Sequence, residues 1–345
     1  MQQKGHADDA DTLDRLLVHV SESQFHRCIR FIAVTPGGRA ADDVLGTCAV
    51  WIETQGGEGN EATVWTLVRP DARGRGIGSA LFAHAEVVLE REGRTVVDAG
   101  SREYPEPAAG PGVLTAPTGA GRISAGSPEA RFLTKHGFRL GQVTRESLLS
   151  VPEDVTYLHD LRDGARAEAG DDYVLHVWDS AADPRVVPDE FRADIAALFQ
   201  AQSTEIPSGE IDSFEEPWDE ARLAEYLDDL VDDGSRVFFI AVEYVGDAPP
   251  PKGQPTERLV AFTEVVGNAN AISGWQGDML VLPGHRGHRL GLLVLSEGLL
   301  RLLAAVPTMR RVLTWNAQEN APALAISMAC GFAPYGVEAD WQRKR

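Results

Sequence analysis

Apolar positions along this chain fall into two runs with the same order of elements. In the first, period-two alternation predicts strands over 24–34, 44–53 and 63–68. The third strand stops at Pro70, the turn Arg73-Gly74-Arg75-Gly76-Ile77-Gly78 follows, and apolar residues then recur at helical spacing over 79–91. A strand over 95–101, a short helix from Pro128 and a strand over 139–150 complete the run. The second run starts with a strand over 173–178 and helices over 191–202 and 220–231, then strands over 236–244 and 258–266. A further apolar stretch, Met279-Leu280-Val281-Leu282, stops at Pro283, and the turn Arg286-Gly287-His288-Arg289-Leu290-Gly291 leads into an apolar helix. A strand over 312–316 and a short helix opened by Asn320-Ala321-Pro322 follow. Each run carries a Gly-Phe pair after its short helix, Gly137-Phe138 and Gly331-Phe332. Two copies of so long an order are an internal repeat.

The copies differ at defined places. About twenty residues precede the first strand of the first run, room for one helix over 12–20, where the second run has a strand and two helices. Residues 104–128 are rich in Pro, Gly and Ala without periodicity and read as a loop. Between the runs, Val155, Leu158, Leu161 and Ala165 recur at helical spacing, so 152–172 reads as a linker helix.

The turn common to both copies is built for an anion. Consecutive N–H groups at a helix start have no partner in the helix, and the helix dipole adds partial positive charge there. Gly287 and Gly291 would let a ligand close to the backbone. Arg286 and Arg289 add charge, as do Arg73 and Arg75 in the first copy.

This order resembles the acetyl-CoA-binding half of the GNAT acyltransferase superfamily, whose phosphate loop reads Arg/Gln-x-x-Gly-x-Gly/Ala. Arg73, Gly76 and Gly78 match that pattern, as do Arg286 and Gly291, with Arg289 where the middle glycine belongs. The tandem arrangement is similar to that of mycothiol synthase-like proteins. The fold class implied is α/β (α+β): two tandem domains, each a mixed, mostly antiparallel central sheet flanked by helices. Residues 1–151 would form an N-terminal domain truncated on its acceptor side and structural in role, and 173–345 the catalytic domain.

The resemblance implies acetyl transfer from acetyl-CoA to an amine, with no metal. In the C-terminal copy it assigns the cofactor to Leu280, Val281, Leu282, Arg286, Gly287, His288, Arg289, Leu290 and Gly291, and in the N-terminal copy to Val68, Arg73, Gly74, Arg75, Gly76 and Gly78. Asn316 and Asn320 could bond the cofactor's amide arm, and Asn320 serves equally as an N-cap. An ammonium must lose a proton before it attacks. Asp278, on the strand that enters the second turn, and Glu264, on the neighbouring strand, are the candidate bases, or else satisfied strand-end carboxylates. Backbone N–H groups of a distorted strand would take the developing oxyanion. Relatives often carry a Tyr acid shortly before Gly-Phe, where this chain has Leu133 and Ser327. A CoA-binding regulatory or scaffold protein without turnover is the other reading.

Charge sharpens the picture in one place. The chain has 32 Lys and Arg against 52 Asp and Glu, a net of −20. Residues 1–150 carry 16 against 19, residues 151–250 carry 6 against 26, and residues 251–345 carry 10 against 7. The excess therefore lies wholly in 151–250, either as a solvated acidic face or as a means of drawing a cationic acceptor. Glu210, Asp212, Glu215 and Glu216, with Phe214 and Trp218, are the candidate acceptor residues. That field disfavours nucleic acid. Cys28, Cys48 and Cys330 are scattered, the start has no apolar core, and no apolar run approaches a membrane span. A cytoplasmic protein, monomer or homodimer, acting on a small-molecule amine is expected.

Overall fold

The computed structural model describes residues 23–55, 59–232, 234–248, 253–256, 258–268 and 271–345. The helix expected over 12–20, and with it the truncated start of the first copy, lies outside these residues. The N-terminal half runs β1 (His26–Val34), β2 (Val44–Glu53), β3 (Glu61–Val68), α1 (Ile77–Arg91), β4 (Val96–Glu103), β5 (Val113–Thr115), β6 (Arg122–Ser124), α2 (Pro128–Lys135) and β7 (Arg139–Ser150). Helix α3 (Thr156–Ala169) connects it to β8 (Tyr173–Asp179), α4 (Asp189–Glu205), α5 (Glu220–Asp232), β9 (Arg236–Tyr244), β10 (Leu259–Gly267) and β11 (Ser273–Val281). Then come α6 (Leu290–Ala305), β12 (Arg311–Ala317), α7 (Ala321–Ala329) and β13 (Ala333–Lys344).

Among the described residues, eleven strands form one continuous sheet in the order β1-β2-β3-β4-β13-β7-β12-β11-β10-β9-β8. The halves have exchanged their last strands. β7 pairs with β12, Val312 opposite Leu149, and β13 pairs with β4, Ala339 opposite Ser101. β7 and β13 also pair with each other, which fuses the two sets into one sheet. The side chains permit this: Val143 and Leu149 of β7, and Val337, Ala339 and Trp341 of β13, are buried, so each strand presents an apolar face to helices.

The core is divided by half. In the C-terminal half both sheet faces are covered. Phe199 of α4 packs on Phe262, and on the other face Gly298 of α6 sits against Val265 and Ile240, where a Cβ would clash. Helix α3 packs on the outside of α6. The buried Glu297 of α6 accepts from Arg162 of α3 (3.0 Å) and from Arg301 (2.6 Å). In the N-terminal half, α1 covers Cys48, Val50, Ile52 and Val64 on one face. The opposite face leaves Leu67 62% and Ile32 58% exposed.

Residues 104–128 are more ordered than their composition suggests. They form the β5–β6 hairpin with Ala116 and Ile123 buried, tied to β4 where Glu103 accepts from the Ser124 amide at 2.7 Å. Among the described residues, no helix is long and apolar enough to cross a membrane, and no group of three or more His, Cys, Asp or Glu could hold a metal ion.

Candidate functional site

Both turns are built alike. Each opens with one turn of 3-10 helix, Pro70–Ala72 or Pro283–His285. The backbone is then extended at Arg73 and Arg286, left-handed at Gly74 (φ 76°) and Gly287 (φ 89°), and left-handed again at Gly76 (φ 81°) and Arg289 (φ 57°). The amides from Gly74 to Ser79, and from Gly287 to Leu292, have no backbone acceptor among the described residues. Each turn thus presents a row of donors at a helix start, the arrangement that receives a phosphate.

The arginines do more than add charge. Arg73 donates through Nε to the Val68 carbonyl, and Arg286 to that of Val281, both at 3.1 Å. Each braces its turn against the end of the preceding strand. Their outer nitrogens meet Glu129 (3.2 Å) and Glu205 (2.8 Å), and Arg289 meets Glu168 (3.0 Å). Arg75 donates to the Asp71 carbonyl, and the His288 ring lies 5.3 Å from that of Tyr173. Gly287 has open space where a Cβ would stand, whereas Gly291 is packed against Ile326. The bare Cα of Gly291 therefore serves helix packing. Leu280, Leu282 and Leu290 are buried, while Val281 and Val68 are half-buried at their strand ends.

Behind each turn two parallel strands part. β3 and β4 pair only over Glu61–Val96, Ala62–Val97 and Thr63–Asp98, and β11 and β12 only from Ser273–Arg311 to Trp275–Leu313. Beyond those points a gap opens between neighbouring strands. In the C-terminal half the gap is flanked by a bulge. The β10–β11 register shifts between Thr263 and Val265, so Gly277 and Asp278 together oppose Glu264. A Cβ at Gly277 would lie 2.1 Å from Glu264 Oε1, so only glycine leaves room for that carboxylate.

The bulge brings the two predicted bases together. Asp278 donates its backbone N–H to Glu264 Oε1 (2.6 Å), and Tyr226 of α5 donates its hydroxyl to the same oxygen (3.0 Å). Gln202 of α4 donates its side-chain amide to Asp278. Glu264 is fully buried, with Oε2 unpartnered, and so is Oε1 of the buried Gln202. Burial, then the Asp278 charge, holds Glu264 well above the usual carboxylate range despite its two donors. Burial pushes Asp278 up to about 6, the Gln202 amide opposing and the Glu216 charge adding. The bulge thus sets two carboxyl groups close together, both held above the usual carboxylate range by burial.

A model of the acetyltransferase (GNAT) family matches residues 8–109. No curated protein matches the chain in sequence. Among solved structures, the chain is similar to a tandem GNAT protein from the clavulanic acid biosynthesis pathway, at 22% identity and a TM-score of 0.67, over 99% of this chain and 92% of that one. The chain has the tandem GNAT fold. A GCN5-related N-acetyltransferase from Sphaerobacter thermophilus (14% identity, TM-score 0.59) aligns over 99% of this chain and 88% of that one. A GCN5-related glucosamine N-acetyltransferase region of a fungal GH3 β-N-acetylglucosaminidase (13%, 0.55) aligns over 95% of this chain and 34% of that one.

The GNAT fold gives the remaining expectations a place. Asn320 caps α7, accepting from the Ala323 amide at 3.3 Å, while Asn316 donates to Ser327 (3.3 Å) and Thr314 (3.4 Å) beside the gap. Leu133 is buried in α2. The acidic turn after α4 is divided between the halves. Glu215 accepts from Gln200 of α4, Glu216 pairs with Arg222, and Trp218 stacks on Phe199 at 4.5 Å, all in the C-terminal half. Glu210 and Asp212 lie over the N-terminal half. The Glu210 amide donates to the Gly141 carbonyl, and Asp212 pairs with Lys344 while its amide donates to Gln342. Phe214 between them is half-buried. Tyr226 and Gln202 escaped the sequence reading, since nothing in the pattern of α4 or α5 marks which polar residue faces the bulge.

Proposed function

We propose that the protein is an acetyl-CoA-dependent N-acetyltransferase, acting in its C-terminal half on a primary amine of a small cationic molecule. The observation that carries this reading is the Glu264–Asp278 pair on a bulge beside the parted strands β11 and β12, at the end that enters a donor-lined turn. The chain's own residues suit the cofactor. The amides of Gly287 to Leu292, with Arg286, Arg289 and His288 around them, would hold its phosphates, and Asn316 stands beside the gap for its amide arm. Leu280, Val281 and Leu282 line the strand end below. Acetyl-CoA, when bound, supplies the thioester.

Asp278 takes the proton from the incoming ammonium, directly or through water, because its raised affinity for protons matches an amine better than an ordinary aspartate would. Gln202 orients that carboxylate. Glu264, held by Tyr226 and the Asp278 amide, fixes the bulge and keeps the Asp278 backbone in place. Beyond Trp275, β11 has no β12 partner, so its backbone edge faces the gap where an oxyanion would form. Ser327, bonded to Asn316, stands where relatives carry a tyrosine acid, and the leaving thiolate takes its proton from solvent. The acidity of 151–250 supports a cationic acceptor, and the glucosamine acetylated by the fungal region puts amino sugars among the amines to test.

The experiment is CoA release across polyamines, aminoglycosides and amino sugars. Release with at least one of them, lost in Asp278→Asn, supports the reading. No release with any amine at saturating acetyl-CoA sinks it. A CoA-binding regulatory protein without turnover is then the better reading, favoured by Arg289 in a left-handed position and by the acidic partners on both turn arginines.

A further inference from the structure

A cavity of about 240 Å³ lies on the N-terminal half. Its floor is the sheet face of β3, β4 and β13, with the Trp65 indole and the carboxylates of Asp98, Glu338 and Asp340. Its roof is Ser208 and Ile211, from the turn after α4 that crosses from the C-terminal half. The roof is anchored on both sides. Gln142 donates to the Pro207 carbonyl (2.7 Å), and Gln342 exchanges bonds with the Asp212 backbone (3.1 and 3.2 Å).

The charges in this cavity do not balance. Glu338 pairs with Arg102 (3.0 Å), and Lys344 is taken by Asp212. Asp98 meets the Gln342 amide (3.0 Å) and Asp340 the Thr144 hydroxyl (3.4 Å), and neither carboxylate pairs with a Lys or Arg among the described residues. Two carboxylates drawn out of water beside an aromatic face, with no counter-ion, form a receptor for a cation. Burial, with Glu61 and Asp212 nearby, pushes Asp98 up to about 6 against its Gln342 bond. Burial and the charges of Glu338, Asp98 and Glu319 push Asp340 up to about 7 against its Thr144 bond.

We propose that this cavity binds a small alkylammonium ion, its charge between Asp98 and Asp340 and its alkyl part on the Trp65 indole. A metal ion fits less well, because no group of metal ligands is arranged to hold one among the described residues. The ligand is bound here without being acetylated. The β2–β3 register is regular where β10–β11 has its bulge, and the Trp65 ring lies against Gly100 across the gap between β3 and β4. The proposal does not rest on the acetyltransferase reading, since binding is measured without acetyl-CoA.

The test is calorimetric titration of the full chain with n-butylammonium chloride, with n-butanol as the uncharged control. Binding is expected at pH 8, weakened at least ten-fold at pH 5.5. Near pH 6.5 the heat should vary with the ionisation enthalpy of the buffer, because the cation expels protons from Asp98 and Asp340. Asp340→Asn and Trp65→Leu should each weaken binding at least ten-fold at pH 8. Butylammonium binding no better than butanol overturns the proposal, as does Asp340→Asn binding as tightly as the unsubstituted chain. The proton release needs no variant, so its absence on binding overturns the proposal even if a substituted chain fails to fold.

Discussion

The two halves follow one plan and diverge where two strands part. In the N-terminal half the turn is unstrained, with glycine in the left-handed position at Gly76, but Trp65 lies across the gap behind it. In the C-terminal half the position equivalent to Trp65, counted back from Val68 and Val281, is Asp278, set on a bulge against Glu264. There the turn carries the strain, because Arg289 is left-handed where the other copy has glycine. On the proposed reading, the element for phosphate and the element for the proton are thus separable: one half keeps the unstrained turn, the other keeps the carboxylates.

Asp278→Asn tests this division most severely. CoA release should fall roughly 100-fold or more, the range for losing a general base, while Trp65→Ala should change it less than about 3-fold. Equal losses in both variants would mean that the halves work as one site. The turns come next. Arg286→Glu removes a brace and reverses a charge, and should weaken acetyl-CoA in the productive site by about 10- to 100-fold in a titration at moderate salt. Arg73→Glu should leave turnover within about 2-fold. If Arg73→Glu abolishes turnover in a folded chain, the assignment of roles is reversed.

Acidity separates the halves in a different way. The proposed mechanism needs Asp278 deprotonated, so kcat/KM should fall as pH drops through about 6. In the N-terminal cavity the effect is on stability. A carboxyl whose folded affinity for protons is raised stabilises the fold below its unfolded pKa, and that contribution is lost as pH rises through the folded value, about 7 for Asp340. Asp340→Asn should therefore raise the melting temperature at pH 8 by about 2–5 °C and leave it unchanged near pH 4. An equal change at both values would remove ionisation as the cause. The smallest effect concerns the strained turn. Gly76→Arg places a side chain in a left-handed position with open space around it and should cost roughly 1 kcal/mol, which thermal melts would resolve. Arg289→Gly should relieve a similar strain, partly offset by the greater freedom of glycine in the unfolded chain. A melting temperature unmoved in both would show that backbone strain does not distinguish the turns.

The repeated elements were legible because their signals are local: a proline stop, a glycine turn and a helical run each lie within a few residues. The bulge was half legible, since Asp278 and Glu264 could be nominated but not their pairing, which depends on Gly277 making room. Trp65 as the counterpart of Asp278 was readable from the aligned copies and went unread. The strand exchange was not legible at all. β7 and β13 both alternate, and no apolar pattern says whether Val337 and Trp341 belong beside β4 or β12. The acidic turn was assigned to one half by its neighbours in sequence. Its seat is set instead by contacts with remote residues, Ile211 against Gly141 and Asp212 against Gln342.

The exchanged strands also bear on how the protein is made. Arg102 of β4 bonds Glu338 of β13, 236 positions further along the chain. During vectorial synthesis the N-terminal sheet therefore waits, its β4 edge open, until almost all of the described chain has left the ribosome. An open edge is a template for wrong pairing, and β7, already synthesised, is a strand of similar character close at hand. A gene cut within α3 would leave each fragment holding a strand that belongs in the other's sheet. Such fragments should fold only when expressed together, so the two halves are inherited, and must evolve, as one unit.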